Sequence, residues 1–136
     1  MKKSFHIIPV GIIKKRDEKI WIEVYEKYNE ALSGLDEFSH ITVCYWFHEN
    51  DTPEKRNVMK IHPRKNEKNP LTGVFATHSP LRPNLIGISI CKILSIQGNT
   101  IYIDKIDAFD GSPLIDIKCF IPSNALKQNI RLPDWV

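Results

Sequence analysis

Short hydrophobic runs separated by polar turns fill most of this chain, and few of the runs have the period of a helix. Residues 20–24, 86–96 and 100–106 are rich in isoleucine and other β-branched or aromatic side chains, which favours strands. Residues 40–48 are almost continuously apolar, so they predict a strand in the centre of a sheet. Gln97-Gly98-Asn99 separates two of these runs and predicts a hairpin turn.

Two further strands are predicted near the ends of the chain. Residues 5–13 predict the first strand, and Pro9 and Gly11 place it at an edge or a bulge of the sheet. Residues 14–19 are all charged, which predicts a turn that leads into the next strand. Residues 114–121 predict the last strand of the set.

Helical patterns are scarce in this sequence. Residues 25–32 predict one short helix, which Gly34 is placed to end. Residues 49–70 form a polar connection whose length is unusual for a compact domain. Since strands do not alternate with long helices, the pattern predicts a mainly β, single-domain antiparallel β-barrel-like fold over residues 1–136. Its other parts are one or two short helices and a long loop.

Composition narrows the class of protein. A chain of 136 residues with 42% hydrophobic residues is long enough for one domain with its own core. The net charge of +3 permits a nucleic-acid partner and does not require one. The three cysteines are widely spaced, which is typical of reduced thiols in a cytoplasmic protein. No apolar run approaches the ~20 residues of a membrane span, and neither a secretory signal nor a membrane partner is expected.

Residues 73–87 combine polar side chains with structural stiffness. This segment has two prolines and begins and ends in glycine, and its polar side chains are Thr77, His78, Ser79, Arg82 and Asn84. Because proline fixes its own φ and restricts the residue before it, these groups are predicted to be held ready for a ligand. Residues 107–113 form a second such segment one hairpin later, and we predict that the two segments form one site.

Both segments resemble the signatures of a known family. Residues 73–87, GVFATHSPLRPNLIG, are similar to the G-V-F-A-T-R-S-P-x-R-P-N-P-I-G signature of the TsaA-like family, also called YaeB or TrmO. Residues 107–120, DAFDGSPLIDIKCF, are similar to that family's D-x-x-D-G-T-P-x-x-D-I-K-P-Y. Residues 34–40 and 46–48 match two shorter segments, so the resemblance runs from about residue 7 to residue 122.

The resemblance implies an S-adenosylmethionine-dependent methyltransferase with a barrel fold in place of a Rossmann fold. Known members methylate N6 of threonylcarbamoyladenosine next to the tRNA anticodon, and they are homodimers with the cofactor near the subunit interface. This chain departs from the family pattern at His78, Leu85 and Ser112, and it lacks the family's P-R-Q segment. Two alternatives therefore stay open: a methyltransferase with another RNA or small-molecule acceptor, and a module that binds S-adenosylmethionine without turning it over.

The family's functional positions carry over to matching residues of this chain. Arg82 and Asn84 are the catalytic candidates, since they could anchor an anionic group and orient the acceptor. His78 takes the place of the family's arginine. The cofactor-binding candidates are His48, Glu49, Asn50, His78, Ile88, Asp107, Ala108, Phe109, Asp110 and Gly111. A metal site is not expected, because His40 and His48 have no cysteine or carboxylate at ligand spacing.

Each candidate also has a purely structural interpretation. Asp107 and Asp110 could bind the ribose hydroxyls or the ammonium group of the cofactor, or they could shape a type I turn. Arg82 could bond carbonyls of its own loop, and Asn84 could form an Asx turn or a cap. The sequence leaves these alternatives open.

Ten basic residues fall in two predicted loops. They are Lys14, Lys15, Arg16, Lys19, Lys55, Arg56, Lys60, Arg64, Lys65 and Lys68. Either they form one surface that faces RNA, with tRNA as the partner, or they are an ordinary solvated rim. Asp17, Glu18, Glu54 and Glu67 are interspersed among them, and the sequence does not decide between the two.

Overall fold

A computed structural model describes residues 2–123 and 129–136. The chain divides into two compact units, each of which is described by itself. The barrel unit contains residues 1–49 and 86–120, and the loop unit contains residues 50–85 and 121–136. The prediction of a single domain over residues 1–136 stays a prediction.

Six antiparallel strands close the barrel unit. The described residues contain the strands β1 (Gly11–Arg16), β2 (Lys19–Val24), β3 (His40–Trp46), β4 (Lys60–Ile61), β5 (Thr72–Gly73), β6 (Ile86–Gln97), β7 (Thr100–Ile103) and β8 (Pro113–Cys119). The barrel has the order β1-β2-β7-β6-β3-β8, and β8 pairs with β1 to close it. The predicted antiparallel barrel is therefore confirmed.

Strand β3 is central, as its apolar run predicted. It pairs with β6 along one side and with β8 along the other. Ile41, Val43 and Tyr45 point into the barrel and are buried, whereas the alternate residues are only partly buried. The barrel core is built from such inward positions, including Ile13, Ile22, Val24, Ile101, Ile103 and Leu114. The run looked nearly continuous because Cys44 and Trp46, on the outward side of this strand, are apolar as well.

The first strand is shifted from its predicted place. Residues 5–10 are not a strand, and β1 begins at Gly11 and continues through the charged run to Arg16. Only Asp17 and Glu18 form the turn to β2, with φ of 49° and 68°. Two left-handed residues suit the two-residue hairpin, whose twist matches that of the flanking strands. Charge alone was therefore the wrong signal for the length of this turn.

The helical segments are short. In the barrel unit they are the 3-10 segments Glu26–Leu32 and Leu35–Glu37, and Gly34 lies between them with a φ of 87°. A further 3-10 turn, His48–Asn50, follows β3. The predicted helix of residues 25–32 is thus present in 3-10 form. Of the described residues, no helix has the length and apolar character to cross a membrane.

The long polar connection is not structureless. It contains α1 (Pro53–Arg56), whose first turn is capped by the Thr52 hydroxyl accepting from the Lys55 amide at 3.3 Å. Strands β4 and β5 form a small antiparallel sheet, and the 3-10 turns Pro63–Lys65 and Val74–Ala76 complete the loop unit. The helix cap and the pairing of β4 with β5 therefore give regular structure to a segment that the sequence predicts to be a long loop.

Cys91 lies inside the barrel, and we expect its thiol to react very slowly. Burial raises the pKa of Cys91 from 9.0 to about 11, with smaller contributions from the charges of Asp104 and Asp107. At pH 8 the thiolate fraction is therefore about 100-fold smaller than for an ordinary thiol. Alkylation of the Cys44→Ala/Cys119→Ala variant should be at least 100-fold slower in the folded protein than in urea. Equal rates in both conditions would contradict the buried, protonated state.

Candidate functional site

The motif loop, residues 77–84, is braced by its own polar side chains. The Thr77 hydroxyl donates to the Val74 carbonyl at 2.9 Å and accepts from the Ser79 amide at 3.1 Å. The Ser79 hydroxyl in turn accepts from the Leu81 amide at 3.1 Å. These side-chain bonds replace the backbone bonds that a loop lacks, so the predicted stiffness of this segment does not depend on its prolines alone.

Arg82 is the central brace of the motif loop. Its Nη1 donates to the Thr77 carbonyl at 3.2 Å and to the Ser79 carbonyl at 3.0 Å. A guanidinium that bonds two carbonyls of one turn fixes the path of that turn. The structure therefore shows the bracing contacts of the structural interpretation, and the catalytic role of Arg82 stays a prediction.

Two residues of the loop unit hold the motif loop from outside. Arg56 donates from Nε to the Pro83 carbonyl at 2.8 Å, and Nη1 of the same residue contacts Asp51 Oδ1 at 3.2 Å. Asn50 donates from Nδ2 to the Pro80 carbonyl at 3.3 Å. Asn50, a cofactor-binding candidate, thus serves the loop itself in the structure.

His78 and Asn84 differ from their neighbours because both side chains are exposed. Neither makes a side-chain hydrogen bond within the part of the chain that the structure describes. The braced loop therefore holds an imidazole and a carboxamide at its surface, on a backbone fixed from both sides. These two groups, more than Arg82, are free to meet a ligand.

The second predicted segment, residues 107–113, is a turn that docks on β1. Asp110 accepts from the Lys15 amide through Oδ1 at 2.8 Å, and the Gly111 amide donates to the Ile13 carbonyl at 2.8 Å. The Ser112 hydroxyl donates to the Phe109 carbonyl at 2.7 Å, and Ser112 is buried. Gly111 has a φ of 85°, a conformation that explains the need for glycine at this position.

The other residues of segment 107–113 differ in how far they are exposed to solvent. Asp107 and Phe109 are exposed, the latter by 63%, while Ala108 is buried in the barrel core. Burial raises the pKa of the Tyr45 phenol; the hydrogen bond to Ser89 lowers it, and the charge of Asp107 raises it further. Asp107 therefore lies near the end of the barrel where Tyr45 is placed, and its carboxylate is open to solvent.

His48 carries an unsatisfied polar atom at the end of β3. Its Nδ1 is buried and has no hydrogen-bond partner among the described residues. A buried nitrogen without a partner costs free energy, so such an atom marks a place where a ligand would be stabilising. Ile88 is 66% exposed on the outer side of β6, and Glu49 is exposed as well.

Gly87 on β6 lets the rings of Tyr45 and Phe47 pack directly against the backbone. A Cβ at this position would lie 2.6 Å from Cζ of Tyr45 and 2.9 Å from Phe47. The rings of Tyr45 and Phe47 contact each other edge to face, with centroids 5.5 Å apart. The motif therefore ends in glycine because a buried aromatic ring occupies the space of a side chain.

The structure assigns the predicted residues to two groups. Asn50, His78, Arg82 and Asn84 lie in the loop unit, and the other candidates lie in the barrel unit. That the two segments form one site stays a prediction. The contacts of Lys15 and Arg56 with the two segments were not predicted, because their partners are distant in sequence, and no local pattern marked Tyr45. Among the described residues, no cluster of three histidine, cysteine or carboxylate side chains could hold a metal ion.

We expect Asp110 to contribute to stability through the Lys15 amide. Asp110→Ala removes one exposed acceptor, which should lower the free energy of unfolding by about 1 kcal/mol. Asp110→Asn keeps an acceptor oxygen at the same place and should lose less than half as much. Urea unfolding of both variants measures the difference. Equal midpoints for Asp110→Ala and the unchanged protein would show that water replaces this bond.

A closed antiparallel barrel with a braced, proline-rich loop after its third strand defines a class of β proteins distinct from the Rossmann enzymes. The tRNA-methyltransferase O N-terminal domain model matches residues 3–124. The chain belongs to this family, as the two motifs indicated.

Comparison with individual proteins agrees with this assignment. The chain is 49% identical over 118 residues to a probable S-adenosyl-L-methionine-binding protein of Pyrococcus horikoshii, covering 87% of this chain and 84% of that protein. It is 36% identical over 114 residues to the mouse tRNA (adenine(37)-N6)-methyltransferase, covering 84% of this chain and 26% of that protein. A crystal structure of TrmO from Pseudomonas aeruginosa superposes with a TM-score of 0.74 at 24% identity, covering 99% of this chain and 63% of that one. This last likeness supports the fold.

Proposed function

We propose that this protein is an S-adenosylmethionine-dependent methyltransferase. Its acceptor is N6 of the adenosine at position 37 of tRNA, in its threonylcarbamoyl form, next to the anticodon. Membership of the family and the likeness to the mouse and human tRNA (adenine(37)-N6)-methyltransferases support this reaction. The observation that carries it furthest is the motif loop, because its bracing leaves His78 and Asn84 exposed on a fixed backbone.

The residues present fit the cofactor. S-adenosylmethionine has an ammonium group, a carboxylate, ribose hydroxyls and an adenine, and it needs acceptors, donors and an apolar surface. The barrel unit offers the exposed carboxylate of Asp107, the unsatisfied Nδ1 of His48 and the exposed side chain of Ile88. Relatives from Pyrococcus horikoshii and Methanocaldococcus jannaschii are named as probable S-adenosyl-L-methionine-binding proteins.

The chain's own task in this reaction is positioning. When bound, S-adenosylmethionine would supply an activated methyl group for N6; the thioether S-adenosylhomocysteine would be the leaving group, and the N6 proton would pass to water. Displacement at a methyl carbon requires the acceptor nitrogen in line with the breaking bond, and a preorganised site contributes several kcal/mol by holding that geometry. Asn84 orients the acceptor through its carboxamide, and Arg82 keeps the loop that carries Asn84 in place.

A direct assay tests the reaction. The protein is incubated with methyl-labelled S-adenosylmethionine and tRNA that carries threonylcarbamoyladenosine, and labelled nucleosides are separated after digestion. Incorporation at N6 of the modified adenosine is expected, and tRNA that lacks adenosine at position 37 serves as the control. If cofactor binds in a calorimetric titration but neither tRNA becomes labelled, the methyl acceptor has been assigned wrongly.

A binding module that does not turn the cofactor over is the second candidate. It is favoured by His78, which stands where the family signature has arginine, and by the names of the archaeal relatives. An imidazole titrates near neutral pH, whereas a guanidinium stays charged, so the two side chains differ as anchors. If His78→Arg created methyl transfer in a chain that otherwise only binds the cofactor, this second function would be the correct one.

Homodimer formation and a cytoplasmic location complete the proposal. Ile86, Ile88 and Ile90 form an outward row on β6 and are 41%, 66% and 55% exposed. An exposed apolar row of this kind suits an interface between copies. The cysteines are free thiols, which suits a reducing compartment. Light scattering after gel filtration should give twice the monomer mass, and Ile90→Glu should lower it.

A further inference from the structure

The outer face of the barrel unit carries a row of aromatic and basic side chains that the proposed chemistry does not use. Lys14 on β1 pairs with Trp21 on β2, and Trp21 pairs with Tyr102 on β7. Their inward neighbours, such as Ile13 and Ile22, form the barrel core, so these three side chains point outward. All three are partly buried. We call Lys14, Trp21 and Tyr102 the aromatic row.

The two rings of the aromatic row are held in place. Their centroids are 6.2 Å apart and the planes are tilted by 39°. The indole Nε1 of Trp21 donates to Glu23 Oε1 at 3.0 Å, which fixes the orientation of the larger ring. Rings that are fixed before a ligand arrives lose little entropy on binding. A stacking surface is thus already formed.

Both signs of charge surround the aromatic row. Glu23 accepts from the indole and Asp104 accepts from the amides of Lys92 and Lys105 through Oδ1, and both carboxylates keep their charge. Lys14, Arg16 and Lys19, by contrast, make no ion pair within the described part of the chain.

Asp17 and Glu18 occupy the hairpin tip, so the cations Lys14, Arg16 and Lys19 lie along the strands and not at the turn. The three cations stand beside the rings, where a phosphate of a stacked nucleotide would lie.

A hollow of about 550 Å³ opens beside Tyr102 on the same face. Lys19, Ser95 and Gln97 line it together with the ring of Tyr102, and the carboxylates of Glu18 and Asp104 lie at its wall as well. These side chains offer an ammonium, a hydroxyl and a carboxamide next to an aromatic face. This combination can read the edge of an unpaired base and hold its phosphate.

We propose that the aromatic row and this hollow bind a single-stranded segment of the RNA substrate. The inference rests on the proposed function and adds to it the surface by which the RNA is held. Base stacking on aromatic rings requires unpaired bases, so the occupant is a loop and not a duplex.

One RNA strand can reach from the aromatic row to Ile88, a cofactor-binding candidate on the barrel. Strand β6 connects the outward Ile88 with Leu94, which lines the hollow, and six residues of strand span about 20 Å. A strand of about six nucleotides at ~3.4 Å each covers that length.

The test measures the affinity for RNA separately from cofactor binding. The dissociation constant of a fluorescein-labelled anticodon stem-loop RNA is measured by anisotropy at fixed salt, for Trp21→Leu and Tyr102→Leu. Each variant should bind about tenfold or more weakly. Phe5→Leu, which replaces an 87% exposed aromatic outside the row, should bind normally. Affinity for S-adenosylmethionine, measured by calorimetry, should be unchanged in all three.

Charge variants provide an independent measurement if an aromatic variant does not fold. Lys14→Gln/Arg16→Gln should reduce the dependence of log K on log salt by about 2, whereas Lys118→Gln on β8 should change it by less than 1.

Unchanged RNA affinity in the aromatic variants, in a protein that still methylates tRNA, would overturn the row while leaving the proposed function intact. A protein that binds the cofactor but no RNA at all would overturn both. If an aromatic variant loses its melting transition, it is unfolded and the charge variants decide. An unchanged salt dependence of RNA binding in the charge variants would then overturn the proposed role of the aromatic row.

Discussion

Arg82→Ala should lower the rate of methyl transfer to tRNA by about 100-fold. The substitution removes both bonds from Nη1 to the carbonyls of Thr77 and Ser79, so the motif loop loses its central brace. Displacements of about 1 Å in a positioned group can cost two orders of magnitude in rate, and Asn84 is carried on this loop. Initial rates at saturating cofactor, together with the KM for tRNA, measure the effect.

Two variants distinguish positioning from a general loss of structure. Arg82→Lys keeps the charge but cannot bridge two carbonyls with a planar fork, so we expect it to recover only part of the rate. Arg131→Ala removes an exposed arginine of the same unit and should leave the rate unchanged. A rate for Arg82→Ala within twofold of the unchanged protein, with a normal melting temperature, would contradict the role of this brace.

Gly87→Ala should cause a clear loss of stability. The new Cβ would lie 2.6 Å from Cζ of Tyr45, which is only 4% exposed and contacts Phe47. A buried ring cannot move aside without disturbing the barrel core, so overpacking should cost about 1–3 kcal/mol. Denaturant unfolding monitored by far-ultraviolet circular dichroism gives the change in the free energy of unfolding.

Gly73→Ala is the matched control at the other end of the same motif. Its Cβ would have only the Met59 carbonyl near it, at 4.0 Å, and its φ of −61° suits alanine. We expect a change within about 0.5 kcal/mol, and alanine could even stabilise the protein by restricting the unfolded chain. Similar losses for both variants would show that steric contact with Tyr45 is not the reason for glycine at position 87.

The barrel could be predicted from the sequence because its strands are locally encoded. The β-branched runs of β2, β6 and β7 and the Gln97-Gly98-Asn99 turn mark their own positions. The start of β1 could not be placed, since its pairing with β8 depends on Leu114, far away in sequence. Periodicity reports which side chains face a core, but it does not report which strand lies beside which.

The site was only partly predictable for a related reason. Two stiff polar segments could be identified from prolines, glycines and the family motifs, and the structure confirms that both are ordered by hydrogen bonds. The partners that order them were not predictable: Lys15 lies 95 residues from Asp110, and Arg56 lies 27 residues from Pro83. Whether a polar side chain braces its loop or faces solvent, as Arg82 and Asn84 do, depends on such partners.

The seam between β1 and β8 has a consequence for the order of events during synthesis. Since Gly11 pairs with Leu114, the barrel cannot close until residue 114 has left the ribosome. The β1-β2 hairpin emerges early and pairs locally, but it then waits with one edge unpaired, and a bare strand edge is a template for association with other chains. Lys14 and Arg16 lie on that edge strand, where repulsion between nascent copies keeps it from pairing wrongly.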